Sequence, residues 1–243
     1  MSTEKKFKIR IIIPVNTTAF TDEVINCVQE IIPPDVYFDV KPIEGGIPHI
    51  QNRTDFTINS PYVIKLAQQT EAEGFDGIFV TDFDYCGVEA TRENVSIPVI
   101  GGFRPQAFTA MALSEKIGLV TIVDSIVAMQ EEHFRYFGML PNLACILPID
   151  TPVADLPKKE IVIPKVFDKA VEAVEKHGAE SIILGCTGFI GIAKPVAKML
   201  QEQKGWNIPV TDPNHMAVTY LIALVRNGLM QSRLAYYQNP SSQ

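Results

Sequence analysis

The stretch "EGFDGIFVTD" (Glu73–Asp82) has a counterpart in the second half of the chain, "HGAESIILGC" (His177–Cys186). Aligned on Gly74 and Gly178, the two set Asp76 against Glu180, Ile78 against Ile182 and Asp82 against Cys186. Each is followed by the same tripeptide, "IPV", at Ile97–Val99 and at Ile208–Val210. Each half also opens alike, with "KIRIII" at Lys8 and "KIGLVT" at Lys116. Three matches in one order indicate an internal repeat of two similar halves. The expected division is residues 1–100 with 210–243 in one half and 101–209 in the other.

Around the repeat, short apolar runs alternate with helical patterns. "FKIRIIIPV", "VYFDVKPI", "DGIFVTDF", "IGLVTIV", "LACILPI" and "SIILG" read as strands, with helical segments between them. Apolar strands alternating with helices predict parallel sheets covered on both faces. The fold class is α/β, with two pseudo-symmetric halves of Rossmann-like or flavodoxin-like type and the active site in the cleft between them. In "SPYVIKLAQQTEAEG", Ser60 is the expected N-cap and Pro61 the first helical residue. "FDKAVEAVEKHG" predicts an amphipathic helix closed by Gly178, and another is expected from about Ile190 to Lys204.

The chain has 243 residues, 47% of them hydrophobic and 20% charged, which suits a globular protein with a sizeable core. A net charge of -7 with no basic patch argues against nucleic acid. No apolar run approaches the ~18 residues of a membrane span. The start "MSTEKKFKIRIII" lacks the features of a signal peptide, so a cytoplasmic protein is expected. The four cysteines show neither C-x-x-C nor metal-type spacing, so reduced thiols and no metal are expected. Nucleotide, dinucleotide and zinc motifs are lacking too, which fits an enzyme without a cofactor. Its partner would be a small-molecule substrate, and the apolar last helix suggests a homo-oligomer.

In parallel sheets the loops after the strand C-termini form the binding crevice. Asp82 and Cys186 both sit there. Two acid/base groups on opposite sides of one carbon are what 1,1-proton transfer requires. A thiol at a strand-to-helix junction has a lowered pKa, and the Thr187 and Gly188 amides are placed to hold an enolate or carboxylate oxygen. Asn16, Thr17 and Gly46 follow strands of the first half, and Thr121 holds a matching place in the second. Phe83, Asp84 and His215 complete the candidate substrate contacts, and Tyr85 is a further candidate wall. Arg53 and Arg104 are candidate partners for a substrate anion.

Several motifs, taken in order, resemble the aspartate/glutamate racemase superfamily, nearest its hydantoin and allantoin racemase branch. "IPVNTT" (Ile13–Thr18) resembles the family's Asn-Pro-Asn-Thr segment. "VTDFDYCGVEATRE" (Val80–Glu93) resembles Ala-Cys-Phe-x-Asp-Pro-Gly-Leu-x-Ala-x-Arg-Glu. "IPVIGGFRPQAF", "LGCTGF" and "IPVTDPNHMAV" resemble further segments in the same order, although "RPQ" stands in the region of the family's Gly-Glu-Ala. The resemblance implies an isomerase that uses two cysteines and no cofactor. The second cysteine matches Cys186, whereas the first falls on Asp82, and Cys86 falls where the family has proline. Three readings stay open. Asp82 pairs with Cys186 in a racemase or epimerase, with Asp84 or Cys86 as substitutes for Asp82. Cys186 acts alone in a decarboxylase. Or Cys186 is a nucleophile in a maleate-isomerase-like or hydrolytic enzyme. A fourth reading, from another class, is a small-metabolite binding protein that has lost catalysis.

Overall fold

The computed structural model describes residues 6–237. Its first sheet is built from β1 (Phe7–Ile13), β2 (Val36–Pro42), β3 (Gly77–Val80) and β4 (Val99–Ile100). Between them run α1 (Thr21–Gln29), α2 (Arg53–Ala72) and α3 (Val88–Asn94). After α4 (Phe103–Met111), the second sheet uses β5 (Ile117–Thr121), β6 (Leu143–Pro148), β7 (Ser181–Leu184) and β8 (Val210–Thr211). Its helices are α5 (Val127–Tyr136), α6 (Lys159–His177) and α7 (Ala193–Lys204), and α8 (Pro213–Arg226) follows β8. All pairings are parallel, in the orders β2-β1-β3-β4 and β6-β5-β7-β8. The chain divides into two compact units. One holds the chain up to Ile50, Thr54–Gly101 and the chain from Ala217; the other holds Gln51–Arg53 and Gly102–Met216.

The repeat read from the sequence reappears bond by bond. Asp76 N–H donates to the Lys8 carbonyl (2.7 Å), and Glu180 N–H donates to the Lys116 carbonyl (2.8 Å). The carboxylates accept in return, Asp76 from Lys8 N–H at 2.7 Å and Glu180 from Lys116 N–H at 3.2 Å. The prolines of the two "IPV" segments accept from equivalent strand residues, Pro98 from Ile78 (2.9 Å) and Pro209 from Ile182 (2.8 Å). Gly74 and Gly178 both hold positive φ, 77° and 71°, where the chain leaves a helix and turns into a strand.

Each unit has its own core. Ile9, Ile11 and Ile12 of β1 are fully buried, as befits a strand covered on both faces. Arg10 interrupts that run and is buried too. It pairs with Asp39 and Glu73, both at 2.7 Å, and lies 4.0 Å over the Phe75 ring. A charge removed from water is tolerated only with such partners. In the second unit, Val162, Val166, Phe167, Ala170 and Ala173 line the buried face of α6. Their spacing of three to four residues is that of one helix face. Burial of each large apolar side chain contributes about 1.5–3 kcal/mol.

Three helix starts differ from the sequence expectation. Helix α2 begins at Arg53, so Ser60 is no cap and Pro61 lies inside the helix. Tertiary bonds hold the early turns. Asn59, fully buried, donates to the carbonyls of Pro14 (2.8 Å) and Ile47 (3.1 Å) and accepts from Ile47 N–H (2.8 Å). Ser60 Oγ instead donates back to the Phe56 carbonyl (2.7 Å). Helix α6 begins at Lys159 and includes Pro164. Helix α7 starts at Ala193, later than the expected start near Ile190, and turns separate it from Cys186.

Gly178 has open space around its Cα, so adding a methyl there costs only the left-handed backbone. Gly178→Ala is expected to lower stability by about 1–2 kcal/mol in urea unfolding, with the slope unchanged.

Candidate active site

Cys186 follows β7 by two residues. Gly185 between them must lack a side chain, because a Cβ there would stand 2.8 Å from Leu119 Cδ2 and from Thr121 Oγ1. Buried amide side chains fasten the backbone on both sides of the thiol. Gln106 binds Leu184 twice, donating to its carbonyl (3.0 Å) and accepting from its N–H (3.2 Å), and also accepts from the Thr211 hydroxyl (2.9 Å). Gln130 donates to the Gly185 carbonyl (2.8 Å), and Asn214 donates to the Thr187 carbonyl (2.8 Å). The half-buried Cys186 sulfur accepts the Gly188 N–H at 3.3 Å. A donor aimed at sulfur favours the thiolate, the role the sequence reading gave to a helix terminus. Gly188 is itself confined, since a Cβ would lie 2.8 Å from Leu156 Cδ1.

In the first unit, Asp82 holds the equivalent place after β3. It is half-buried, its N–H donates to the Val80 carbonyl (2.7 Å), and Oδ2 accepts the Cys86 N–H (2.7 Å). The carboxylate is thus anchored by a backbone amide four residues further along its own loop, a donor of the kind that favours an ionised carboxylate. Tyr85 between them has φ 69°, uncommon for a residue with a side chain. Its ring packs on Gly101, where a Cβ would come within 3.1 Å of the ring and 3.3 Å of the Asp82 carbonyl.

A model of the Asp/Glu/hydantoin racemase family matches residues 9–221. The chain belongs to this family. It is 26% identical over 234 residues to the hydantoin racemase of Pseudomonas sp. (strain NS671), covering 96% of this chain and 92% of the relative. The hydantoin racemase of Paenarthrobacter aurescens is also 26% identical, over 236 residues, with 96% and 98% covered. The fold is that of the allantoin racemase from Klebsiella pneumoniae, with a TM-score of 0.89 at 23% identity over 96% of this chain and 94% of that one. Family and relatives mark the chain as an isomerase of the racemase type. No helix among the described residues is long and apolar enough to cross a membrane.

Against that family, the remaining candidates divide by burial and bonding. Asn16 is exposed after β1, its N–H bonded to the Ile47 carbonyl (3.0 Å), and the Thr17 hydroxyl accepts from Ala19 N–H (3.2 Å). Gly46 has φ 85° and lies against the Asn59 amide, where any side chain would collide. Thr187 is buried, Gly188 half-buried, and Asp84 buried beside the Asp82 loop. The His215 N–H donates to Asp212 Oδ1 (3.1 Å), which caps α8, and its side chain is half-buried. Phe83 and Thr121 are buried in the interior, and the Thr121 hydroxyl turns to the Gly185 carbonyl (3.5 Å). The Thr121 hydroxyl thus faces the backbone of the loop after β7. The candidate anion binders are engaged elsewhere: Arg53 with Glu132 (2.8 Å), Arg104 over the Phe137 ring (4.0 Å). The sequence reading missed Gln106, Gln130 and Asn214 as site residues. Nothing local marks them: Gln130 is followed by two glutamates and Asn214 stands in the polar "TDPNH".

Cys86 stands in surroundings unlike those of Asp82. It is fully buried, its sulfur 3.6 Å from Ser60 Oγ and 3.5 Å from the Phe56 carbonyl. Burial first, and the Asp82 charge second, push its pKa far above the usual thiol value. In the native protein iodoacetamide is expected to label Cys186 and spare Cys86, as read by peptide mass spectrometry. An unfolded chain ionises this thiol near its ordinary value of 9.0 while the native chain keeps its proton. Native stability is therefore expected to fall as pH rises above about 9, and Cys86→Ala to flatten that fall in urea unfolding.

Proposed function

We propose that the chain is a cofactor-independent racemase or epimerase of a small hydantoin-like or amino-acid-derived substrate, with Cys186 and Asp82 as its two acid/base groups. The observation that carries the reading is their equivalence. Both stand after the third strand of a β2-β1-β3-β4-type sheet, and both accept a backbone N–H from their own loop. In the reaction one group takes the proton from the carbon beside the carbonyl, and the bonding electrons move into an enolate. The other delivers a proton to the opposite face of that carbon, so the substrate changes configuration and no atom is gained or lost. Backbone amides such as those of Thr187 and Gly188 are suited to stabilising the enolate oxygen.

The pair is chemically unequal. A carboxylate with an ordinary pKa of ~4 is a weaker base than a thiolate with one of ~8.5. Cys186 is thus the stronger base, and Asp82 acts as an acid only in the fraction of molecules that carry its proton. The two directions use the two singly protonated forms of the pair, whose ratio does not change with pH, so both should follow the same bell-shaped pH profile.

The test is exchange of the α-proton of 5-substituted hydantoins in D2O, followed by NMR. Exchange with loss of optical rotation is the expected result. Cys186→Ala should abolish it, and Asp82→Asn should slow it by about 10²–10⁴-fold. Tight binding without exchange across the panel, together with a Cys186 inert to iodoacetamide, would instead identify a binding protein.

A further inference from the structure

Between β6 and α6 the chain lays a short segment against the thiol loop. Leu156, almost fully buried, fills the space beside Gly188, within 2.8 Å of where a Cβ would stand. The same virtual Cβ is 3.4 Å from Cys186 Sγ, so Leu156 and the thiol flank one glycine. Three residues on, at the first residue of α6, the Lys159 ammonium sits 3.3 Å from the Cβ position of Gly191. Gly191 has φ 71°, a backbone that favours glycine, and its bare Cα leaves that space to the ammonium.

A lysine is out of place there for structural purposes. The N-terminus of a helix carries positive partial charge and disfavours cations. The preceding Lys158 is compensated by Asp155 at 2.7 Å. Lys159 is not: its ammonium has no ion pair or hydrogen bond among the described residues. A lysine serving solubility alone would extend into water. This one is half-buried and folded against the loop that carries the thiol.

We propose that Lys159 is a specificity residue of the Cys186 site, holding positive potential over the thiol loop and favouring substrates that carry a carboxylate. Resting on the reading of Cys186 as an acid/base group, this narrows the substrate class to hydantoins with an acidic 5-substituent over those with a plain alkyl group. The half-buried ammonium lies against exposed Gly191, so its field on an anionic group bound at the loop is partly screened and should weaken further with salt.

The experiment compares the full chain with Lys159→Met, Lys159→Gln and Lys159→Arg. It reads alkylation of Cys186 by anionic iodoacetate and by neutral iodoacetamide, with the peptide located by mass spectrometry. The iodoacetate-to-iodoacetamide rate ratio should fall by about 3–10-fold in Lys159→Met and Lys159→Gln at low salt, stay in Lys159→Arg, and converge at high salt. KM for a 5-carboxyethyl hydantoin should rise by a similar factor, with KM for a 5-alkyl hydantoin little changed. Should Lys159→Met fail to fold, Lys159→Gln gives the same reading. An unchanged alkylation ratio overturns the role of Lys159 and leaves the racemase reading standing. A Cys186 that reacts with neither reagent in the unaltered protein overturns both.

Discussion

A parallel strand that runs past its neighbour must give its last backbone groups to something other than a strand, and the thiol loop depends on how β7 does this. Toward β8 its pairing stops at Ile183 with Thr211. The Gln106 amide then takes both the N–H and the carbonyl of Leu184, as one further rung of a ladder would. Gln130 takes the next carbonyl, at Gly185, and Asn214 the one after Cys186, at Thr187. A buried backbone group left unmatched costs about 1–3 kcal/mol. These amides therefore decide which path the chain takes as it leaves the sheet. With the backbone fixed on both sides, the Gly188 N–H is held toward the sulfur.

The two units solve one problem with different atoms. In each, the third strand ends, the chain turns, and a titratable side chain accepts an amide from the loop that follows. In the first unit the acceptor is the Asp82 carboxylate and the donor Cys86 N–H. In the second the acceptor is the Cys186 sulfur and the donor Gly188 N–H. Glycines sit where these loops meet their supports, Gly101 beneath Tyr85 and Asp82, Gly185 over Thr121. In both units of this chain the anchoring donor is a backbone amide, whether the acceptor is a carboxylate or a thiol.

Much of this was legible in the sequence because it is local or repeated. The strands are short apolar runs, and Gly74 and Gly178 punctuate the turns before β3 and β7. The shared "IPV" marks β4 and β8, and the equivalence of Asp82 and Cys186 follows from alignment alone. The helix starts were misread where a local signal was overruled from a distance. Ser60 and Pro61 look like a cap and a first residue, yet Asn59 bonds to Pro14 and Ile47 and draws the helix back to Arg53. The turns after Cys186 delay α7 to Ala193, so a backbone amide within the loop serves the sulfur in place of a helix terminus.

The sequence by itself determined the element order, the twofold repeat and the equivalence of Asp82 and Cys186, since each is written in neighbouring residues or in a pattern that recurs. Only the tertiary structure decided what surrounds them. It buried the Cys86 thiol in the core, occupied Arg53 and Arg104 with Glu132 and Phe137, and set Gln106, Gln130 and Asn214 around the thiol loop. It also folded Lys159 against Gly191. For the three amides the physical reason is one. These are contacts between residues far apart in the chain, formed because buried polar groups must find partners, and such a requirement leaves no periodic trace along the sequence.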